Sequence, residues 1–334
     1  MKIRKLFIIP LSALLLSSCT IISGGGGGGG GGGKTTTDQP SGDTNPTSNV
    51  PGGEVTDGSY NGYYDLSKYD LNGLKGPNLQ RVLHNMMLDT HHSLIKYSQF
   101  SNYIKQTTTR PHSVDQVDDK TNLNQYFYTG KEVNFSTSMT REHVWPCAKS
   151  AGMWVHSNYT DVKYYVDGTN YVGGGSDLYH VRPCTSSVNT ARGDSRFIEW
   201  TEDERNSGNL VNITDGGKYT LLGDASSFSQ YSEPADEFKG DVARICFYVY
   251  IHYAAIGNYG LAAWGDYLGN LSLQDLFGHP GDSERKVYEQ IVRWNELDPV
   301  SETEKLRNET VFAIQGNRNP FVDYPHLVRQ CLIF

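Results

Sequence analysis

Three short runs of the sequence contain the residue types that could do chemistry. Residues 141–146 read Arg-Glu-His-Val-Trp-Pro, residues 177–183 read Asp-Leu-Tyr-His-Val-Arg-Pro, and residues 188–194 read Val-Asn-Thr-Ala-Arg-Gly-Asp. Together they offer an imidazole base, oxygen ligands for a hard cation and guanidinium groups for phosphate. Metal-assisted hydrolysis of a phosphodiester requires this set of groups.

Side-chain chemistry assigns a role to each group. An imidazole has an unperturbed pKa of about 6.5 and can accept a proton from water, so His143 is the candidate general base. Glu142 and Asn189 form an all-oxygen ligand set, which favours Mg²⁺, with Mn²⁺ or Ca²⁺ as alternatives, over Zn²⁺. Arg192 lies one helical turn after Asn189, so on a helix the two share a face and the guanidinium can contact the scissile phosphate.

Each residue also has a plain structural interpretation when it is taken alone. His143 could be a hydrogen-bonded structural histidine, Glu142 a surface ion pair and Asn189 a helix cap. Adjacent residues of a regular strand point to opposite faces, so Glu142 and His143 can serve one site only where the strand ends or bends. Pro146 provides such an end. The ordered combination of these groups, rather than any single residue, favours a catalytic site.

The surrounding pattern predicts the elements that position these groups. Residues 124–140 are typical of a strand, a turn at residues 129–131 and a second strand, and residues 178–182 predict a further short strand. Residues 185–192 predict a helix capped by Thr185 or Ser186. The motif with the candidate base therefore lies at the end of one strand, and the candidate metal and phosphate contacts lie on the helix that follows the next strand.

Helices dominate the remainder of the chain. An apolar residue recurs at helical spacing from Leu79 to Met87, and Gly76-Pro77-Asn78 indicates the start of that helix. Further helices are predicted at residues 241–255, 284–296 and 301–315. Ser301 and Glu304 are typical of a capping box for the last of these. The predicted fold class is α+β, a mainly helical single domain.

Three histidines lie on or just after the first of these helices. They are His84, His91 and His92. We interpret them as surface or capping residues, because no acidic residue lies near them at the spacing of a metal ligand.

The first residues predict export. A positively charged start precedes an apolar run at residues 6–16, which is too short to span a bilayer as a stable helix. The run ends in Leu-Ser-Ser-Cys at residues 16–19, which resembles the lipobox of bacterial lipoproteins. Residues 1–18 are then a lipoprotein signal peptide and Cys19 is the lipidated residue. An ordinary cleaved signal with a chance cysteine is the alternative.

Residues 19–57 are predicted to be a disordered linker. They contain ten consecutive glycines, residues 24–33, followed by Thr, Ser, Asp, Pro and Gly, and this composition cannot bury apolar area. As a flexible coil, residues 24–57 would have a root-mean-square reach of about 30 Å. The linker would tether the domain at residues 58–334 to the outer face of the bacterial cell membrane through lipid alone, with secretion as the alternative.

Charge and cysteine content set further limits. The net charge of −8 excludes a protein that attracts nucleic acid by its overall charge, so any such binding must rest on a local positive patch and a bound cation. No protein partner is implied, and we expect a monomer. Four cysteines, Cys147, Cys184, Cys246 and Cys331, allow three full disulfide pairings in an exported chain. A Cys147–Cys184 bridge is one hypothesis, because each follows a motif of the predicted site.

In order along the chain, these motifs resemble segments of the bacterial endonuclease I family, nonspecific nucleases with a His-Me finger (ββα-metal) core. Residues 139–146 are similar to the family's Arg-Glu-His-Val-Trp-Pro segment, residues 177–183 to its Asp-Leu-His-His/Asn-Leu-Arg-Pro strand, and residues 188–194 to its Val-Asn-x-x-Arg-Gly-Asn helix. Further similar segments are residues 239–244, 298–301 and 315–325. The resemblance covers about residues 70 to 325.

The resemblance implies an endonuclease that cuts DNA, and also RNA, to products with 5′-phosphates. It implies that His143 activates water and that Glu142 and Asn189 hold Mg²⁺. Contacts to the phosphate backbone carry no base information, so little sequence preference is expected. The family's second phosphate-binding arginine has no clear counterpart here. The candidates for further substrate contacts are Arg141, Arg182 and Lys163.

Two positions depart from the family pattern. Tyr179 stands where histidine is common, and Asp194 stands where asparagine is common. Neither belongs to the implied metal site, so an altered rate or pH dependence is expected rather than loss of activity. A catalytically silent, nucleic-acid-binding surface lipoprotein of the same fold is the main alternative. A wall-degrading hydrolase is a weaker one, since the chain has no convincing nucleophile triad or zinc-ligand spacing.

The later segments have structural interpretations. Residues 318–321 are interpreted as a clasp that holds the C-terminal part against the core, with contact to substrate as the alternative. Asp241 and Arg244 are interpreted as members of buried ion pairs rather than as catalytic groups.

Overall fold

A computed structural model describes residues 53–93, 95–96, 99–104, 106–108, 124–133, 139–146, 174–224, 230–254 and 272–333. These residues all belong to one unit of the chain, Val50–Phe334. The predicted signal peptide, Cys19 and residues 19–52 of the predicted linker lie outside the described residues.

Helices are the main elements of the described structure. Their bounds are α1 Ser59–Gly62, α2 Gly76–Thr90, α3 Phe100–Ile104, α4 Ser186–Arg192, α5 Glu202–Asn206, α6 Asp236–Val249, α7 Leu273–Leu276, α8 Glu284–Leu297, α9 Glu302–Gln315, α10 Pro320–Asp323 and α11 Leu327–Cys331. The single turn α1 has left-handed dihedral angles at Tyr60 and Asn61. A π-helical turn, Tyr250–Ala254, continues α6.

Eight strands form three small sheets among the described residues. Their bounds are β1 Asn124–Gln125, β2 Glu132–Val133, β3 Thr140–His143, β4 Val181–Cys184, β5 Arg196–Phe197, β6 Leu210–Ile213, β7 Leu221–Asp224 and β8 Tyr231–Glu233. β1 pairs with β2 and β3 with β4, both antiparallel. The third sheet has the order β5-β8-β7-β6, in which only the β5–β8 pair is parallel. The fold class is α+β, as predicted, although the sequence did not predict the third sheet.

The helix α6 is the centre of the core. Nearly all its residues are buried, and it packs against α8 through large side chains such as Trp294, which is 0% exposed. The helix begins at Asp236, upstream of the predicted start at residue 241, because Asp236 and Glu237 supply the negative charge that favours a first turn. The apolar run that predicted a buried helix here therefore indicated the element correctly but not its N-terminus.

Local signals predicted several helix ends. α2 begins at Gly76 with Pro77 in its first turn. The capping box of α9 is present, since the Ser301 hydroxyl accepts from the Glu304 N–H and the Glu304 carboxylate accepts from the Ser301 N–H. These ends depend on residues close in sequence, which explains why the sequence was sufficient to predict them.

Buried ion pairs join the C-terminal helices to the core. Arg244 of α6 donates from Nε and Nη2 to the two carboxylate oxygens of Glu304, each at 2.8 Å. Arg318 donates to Asp323 at 2.7 and 2.8 Å and to Glu309 at 2.6 Å. Both guanidinium groups are buried. The interpretation of residues 318–321 as a structural clasp, and of Arg244 as a buried pair, is confirmed.

Packing begins before the predicted domain boundary at residue 58. Val55 is 3% exposed, and its N–H donates to Asn72 Oδ1 at 3.0 Å. Its apolar side chain joins the main hydrophobic cluster. A single valine in a polar run gives no periodic signal, which explains why the sequence placed the boundary later.

Two further expectations concern cysteines and membranes. Cys184, Cys246 and Cys331 are buried thiols that are not joined to one another. Cys147, the other half of the hypothesised bridge, lies outside the described residues. In the part of the chain that the structure describes, no helix has both the length and the apolar character that crossing a bilayer requires.

Candidate active site

The elements β3, β4 and α4 form a ββα unit that brings the three motifs together. β3 and β4 pair antiparallel, with His143 opposite Val181. The chain then enters α4, where the hydroxyl of Thr185 accepts a hydrogen bond from the Val188 N–H at 3.5 Å and caps the helix. The predicted helix and its cap are confirmed. The predicted strand at residues 178–182 is instead β4 at Val181–Cys184.

That shift of the strand has a local cause. Asp177 ends a 3₁₀ turn, Gly174–Ser176, and its carboxylate accepts the Tyr179 N–H at 2.7 Å. The Asp177 carbonyl accepts the N–H groups of His180 and Val181 at 3.1 and 3.0 Å. Residues 177–180 are therefore held in a turn by an aspartate that bonds its own following backbone, and the strand begins only afterwards.

Asn189 and Arg192 lie on the face of α4 that packs against β3, as their spacing predicts. Asn189 Nδ2 donates to the carbonyl of Arg141 at 3.3 Å, and Arg192 Nη2 donates to the carbonyl of Val144 at 2.8 Å. Asn189 remains partly exposed. Because its amide nitrogen bonds the strand, its oxygen is the atom that it can offer to a cation.

Glu142 is a buried carboxylate, only 1% exposed. Its Oε1 accepts a hydrogen bond from the Tyr128 hydroxyl at 2.8 Å and lies 3.7 Å from Arg192 Nε. Burial raises the pKa of Glu142 to about 7, although Arg192 and the hydrogen bond from Tyr128 act in the opposite direction. The two contacts therefore compensate the desolvated charge only in part.

His143 lies at the end of β3 with most of its surface buried and only a part exposed. Its Nε2 lies 2.8 Å from the carbonyl oxygen of Gly175. A carbonyl can only accept, so Nε2 carries the proton and Nδ1 is the basic atom. Burial lowers the pKa of His143 to about 3, with the neighbouring His180 as the second cause. The imidazole is thus neutral at physiological pH and can accept a proton, although a pKa this low makes it a weak acceptor until a nearby negative charge, such as a bound phosphate, raises it.

A second histidine supports this arrangement. His180 is fully buried, and its Nδ1 donates to the carbonyl of Gly174 at 2.6 Å while its Nε2 accepts the Trp145 N–H at 2.9 Å. The same 3₁₀ turn therefore holds His143 and His180, whose rings are 5.6 Å apart. His180 is a positioning residue that the sequence did not indicate, although it lies within the second motif.

Arg192 is buried and directed at the backbone. Its Nη1 donates to the carbonyl of Gly193 at 3.1 Å, and its guanidinium lies 4.5 Å from the centroid of the Phe197 ring. With the bond to Val144, these contacts fix the end of β3 against α4. The structure therefore gives Arg192 a positioning role, and its contact with the scissile phosphate stays a prediction.

The other residues predicted to contact substrate have different surroundings in the structure. Arg141 remains partly exposed on β3. Arg182 is directed into the fold, where it lies 3.6 Å from Asp241 Oδ1 and 4.6 Å from the centroid of the Phe127 ring. An internal ion pair therefore replaces the expected contact with substrate, since the opposite charge on α6 and the aromatic face attract the guanidinium inward. Lys163 lies outside the described residues.

The residues present fit a hard divalent cation beside His143. Glu142 supplies a desolvated carboxylate whose charge is only partly compensated, and Asn189 supplies a neutral amide oxygen. Both are oxygen donors of the type that Mg²⁺ prefers, and a cation would stabilise the ionised form of Glu142. The observation that supports this fit is the raised pKa of the buried Glu142 carboxylate, although the Arg192 guanidinium lies 3.7 Å away.

The interpretation of these histidines as surface or capping residues is wrong in part. His84 and His91 are not surface residues but are 0% and 3% exposed. His91 is nevertheless a capping residue, the C-cap of α2, and it lies against His252 and Asp177 in a buried group of potential metal ligands. The sequence could not reveal this group, because its members come from separate parts of the chain. His92 is exposed, as expected.

Tyr179, one of the two departures from the family pattern, is also buried. Its hydroxyl lies 3.1 and 2.9 Å from the carbonyl oxygens of Asn308 and Asn317. It therefore connects the second motif to the end of α9, and it does not reach the surface of the site. Asp194, the other departure, follows α4 and is partly exposed.

Comparison with known proteins agrees with this geometry. A family model described as Endonuclease I matches residues 76–326. An extracellular ribonuclease of Bacillus amyloliquefaciens is 32% identical over 263 residues, which cover 77% of this chain and 74% of the relative. An extracellular ribonuclease of Bacillus subtilis (strain 168) is 30% identical over 271 residues, covering 79% and 77%. An endonuclease-1 of Buchnera aphidicola is 22% identical over 200 residues, covering 59% and 66%.

The matched residues include β3, β4 and α4 together with the helices that surround them. A buried glutamate, a neutral histidine and an asparagine on the following helix form one ββα unit, and the relatives are named as nucleases. The chain therefore belongs to the endonuclease I family and is a hydrolase that acts on nucleic acids.

Proposed function

We propose that the protein is an exported, Mg²⁺-dependent endonuclease that hydrolyses DNA and RNA with little sequence preference and leaves 5′-phosphates. The observation that carries the proposal is the ββα unit, in which Glu142 and His143 lie at the end of β3 and Asn189 of α4 bonds the carbonyl of Arg141 on the same strand. Mg²⁺, held by Glu142 and Asn189, would stabilise the charge that develops on the phosphate.

His143 acts as the general base in this proposal. Its Nε2–H bond to Gly175 fixes the tautomer, so Nδ1 takes a proton from the attacking water. The water oxygen forms a bond to phosphorus as the bond between phosphorus and the 3′ oxygen breaks, and the 3′ oxygen takes a proton from solvent water and leaves as a hydroxyl. The phosphate then stays with the 5′ oxygen of the departing strand, which gives the 5′-phosphate product.

The substrate contacts explain the low sequence preference. With a net charge of −8 the protein does not attract nucleic acid as a whole, so a local cation and partly exposed Arg141 beside the site must bind the backbone. Contacts of this kind are made to phosphate, which is the same in every sequence. Two relatives named extracellular ribonuclease support RNA as a substrate class, and one named endonuclease-1 supports internal cleavage.

We further propose that the chain acts outside the cytoplasm, on the outer face of the membrane, through lipid on Cys19. The apolar run at residues 6–16 and the Leu-Ser-Ser-Cys sequence at residues 16–19 support this location, as do the relatives named extracellular. Labelling with a fatty acid analogue tests the anchor. Label should appear on wild type but not on Cys19→Ala, and label on both or on neither contradicts the anchor.

Digestion of two substrates tests the activity. Supercoiled plasmid and single-stranded RNA are incubated with the protein in Mg²⁺ or in EDTA, and the ends of the products are treated with an exonuclease that requires a 5′-phosphate. The proposal predicts Mg²⁺-dependent degradation of both substrates and products that the exonuclease digests. Substrates left intact with every divalent metal would instead support the catalytically silent binding protein.

A further inference from the structure

A second buried group of side chains has no part in the proposed reaction. The potential ligand atoms of His91, Asp177 and His252 all lie within 4.8 Å of one another. The three residues are 3%, 2% and 0% exposed. The two imidazoles bond each other and the carboxylate accepts hydrogen bonds, but a buried carboxylate charge is usually also paired with a cation.

Each member comes from a different element. His91 is the C-cap of α2, Asp177 follows the 3₁₀ turn Gly174–Ser176, and His252 lies in the π-helical turn Tyr250–Ala254 at the end of α6. π-helical turns are rare and are frequently found at functional sites, because they redirect a side chain that a regular helix would place elsewhere. Here the turn directs His252 at His91.

The distance between the two imidazoles suits a metal ion. His91 Nδ1 lies 3.0 Å from His252 Nε2. Two imidazole nitrogens bound tetrahedrally to Zn²⁺ at about 2.0–2.1 Å are about 3.3 Å apart, so a shift of a few tenths of an ångström between the two rings admits the ion. The carboxylate oxygen of Asp177 lies within 4.8 Å of these nitrogens and would have to move closer to complete the site. The alternative occupant of the same gap is a single proton shared between the rings.

The carboxylate near this gap accepts hydrogen bonds from neutral donors. Asp177 Oδ2 accepts from the hydroxyls of Tyr248 and Tyr253, each at 2.7 Å, and Oδ1 accepts from the Tyr179 N–H at 2.7 Å and from Gln315 Nε2 at 3.1 Å. Hydrogen bonds of this kind hold metal-ligating carboxylates in position. Within the described ranges, no lysine or arginine forms an ion pair with Asp177. A divalent cation would place a positive charge in direct contact with this carboxylate.

We propose that His91, Asp177 and His252 bind one divalent transition-metal ion of the Zn²⁺ class, separate from the Mg²⁺ beside His143. Two imidazoles and one carboxylate form a nitrogen-rich donor set, which favours Zn²⁺ over Mg²⁺. The ion connects α2, the end of α6 and Asp177. Asp177 follows the 3₁₀ turn that contains Gly175, and the carbonyl of Gly175 orients His143. Its role is structural, and it does not depend on the proposed nuclease activity.

Metal content and stability test the site. The full-length protein is stripped with a strong chelator, reloaded with Zn²⁺ or Co²⁺, desalted and analysed by mass spectrometry for bound metal. Wild type should retain one equivalent, and Zn²⁺ should raise its melting temperature. His91→Ala and His252→Ala should each lose this equivalent, whereas the control His92→Ala, at an exposed neighbour, should keep it. Glu142→Gln should also keep it while losing Mg²⁺-dependent cleavage, which separates the two metal sites.

A readout on wild type alone covers the case in which the alanine variants do not fold. X-ray absorption at the metal edge of the reloaded wild type should show imidazole scatterers and an oxygen at about 2.0–2.2 Å. Wild type that retains no stoichiometric transition metal would overturn the proposal, as would an absorption spectrum without imidazole. Equal metal content in wild type and in a folded His252→Ala variant would overturn it as well, and a shared proton would then explain the pair.

Discussion

His143 Nε2 donates to the carbonyl of Gly175 at 2.8 Å, and this bond fixes which nitrogen of the candidate base faces the reaction. The carbonyl belongs to a 3₁₀ turn that also receives His180 Nδ1, through Gly174, at 2.6 Å. One short turn therefore orients both histidines, and the orientation of the base depends on residues that do not touch the substrate.

We predict that His180→Asn lowers kcat while leaving KM nearly unchanged. Asparagine can keep one of the two bonds of His180 but cannot span from the Gly174 carbonyl to the Trp145 N–H, so the end of β3 shifts. A displacement of about 1 Å in a catalytic group can reduce the rate about 100-fold. Steady-state kinetics on a short oligonucleotide measures both constants, with His326→Asn as a histidine control far from this turn in sequence. An unchanged kcat would show that His180 does not position His143.

The stability of the metal-free protein should depend on the ionisation of Glu142. The pKa of Glu142 is raised from 4.5 to about 7 in the folded protein, so folding favours the protonated carboxyl. This contribution to stability is fully present below about pH 4.5 and is lost as the pH rises through 7. In Glu142→Gln the contribution does not titrate, so in EDTA the stability of the variant relative to wild type should increase from pH 4.5 to 7.5.

Urea unfolding at a series of pH values in EDTA measures this difference. Histidines whose pKa is lowered, such as His180, titrate in both proteins, so their contribution cancels in the comparison. Mg²⁺ should restore stability to wild type at pH 7.5 but not to Glu142→Gln. A constant difference across the pH range would contradict the role of burial at Glu142.

Arg192→Lys distinguishes positioning from phosphate binding. Lysine keeps the positive charge but cannot donate to the carbonyls of Val144 and Gly193 together, because it lacks the planar fork of donors. If Arg192 holds the end of β3, the variant should lose about 1–3 kcal/mol of stability, which is the cost of leaving buried hydrogen-bonding groups unsatisfied. Its kcat should fall as well. Thermal unfolding and kinetics measure the two effects. A higher KM at an unchanged melting temperature would instead identify a direct contact with phosphate.

Gly240→Ala should destabilise the fold without touching the site. A Cβ at Gly240 would collide with the carbonyl oxygen of Asp298 and would lie 2.7 Å from the Arg244 guanidinium. Forcing such an atom into a packed interface costs about 1–3 kcal/mol. Gly53→Ala is the matched control, since a Cβ there has no neighbour within 4 Å. Equal unfolding free energies for the two variants would contradict the close approach of α6 to Asp298.

The sequence was sufficient for features that depend on nearby residues. The cap of α4 at Thr185, the capping box of Ser301 and Glu304, and the shared face of Asn189 and Arg192 each involve residues within one turn of each other. The spacing of a helix fixes such relationships before any tertiary contact forms. The same reasoning predicted the α+β class and the end of the strand near His143.

The sequence was insufficient where distant segments meet. No signal in the sequence indicated the buried group of His91, Asp177 and His252, because Asp177 is distant from both histidines along the chain. Arg182 was expected at the substrate, and only the tertiary structure shows that Asp241 attracts it inward. The sheet of β5 to β8 consists of short strands of two to four residues, which are too short to show a clear alternation of apolar and polar residues.

The most direct test of the account compares the nuclease activity of His143→Ala with its binding of Mg²⁺. The account predicts that the variant folds, binds Mg²⁺ through Glu142 and Asn189 as wild type does in calorimetry, and loses at least about 100-fold in the rate of DNA and RNA cleavage, as expected when a general base is removed. A variant that cleaves both substrates at the wild-type rate with Mg²⁺ bound would contradict the assignment of His143 and of the site built around it.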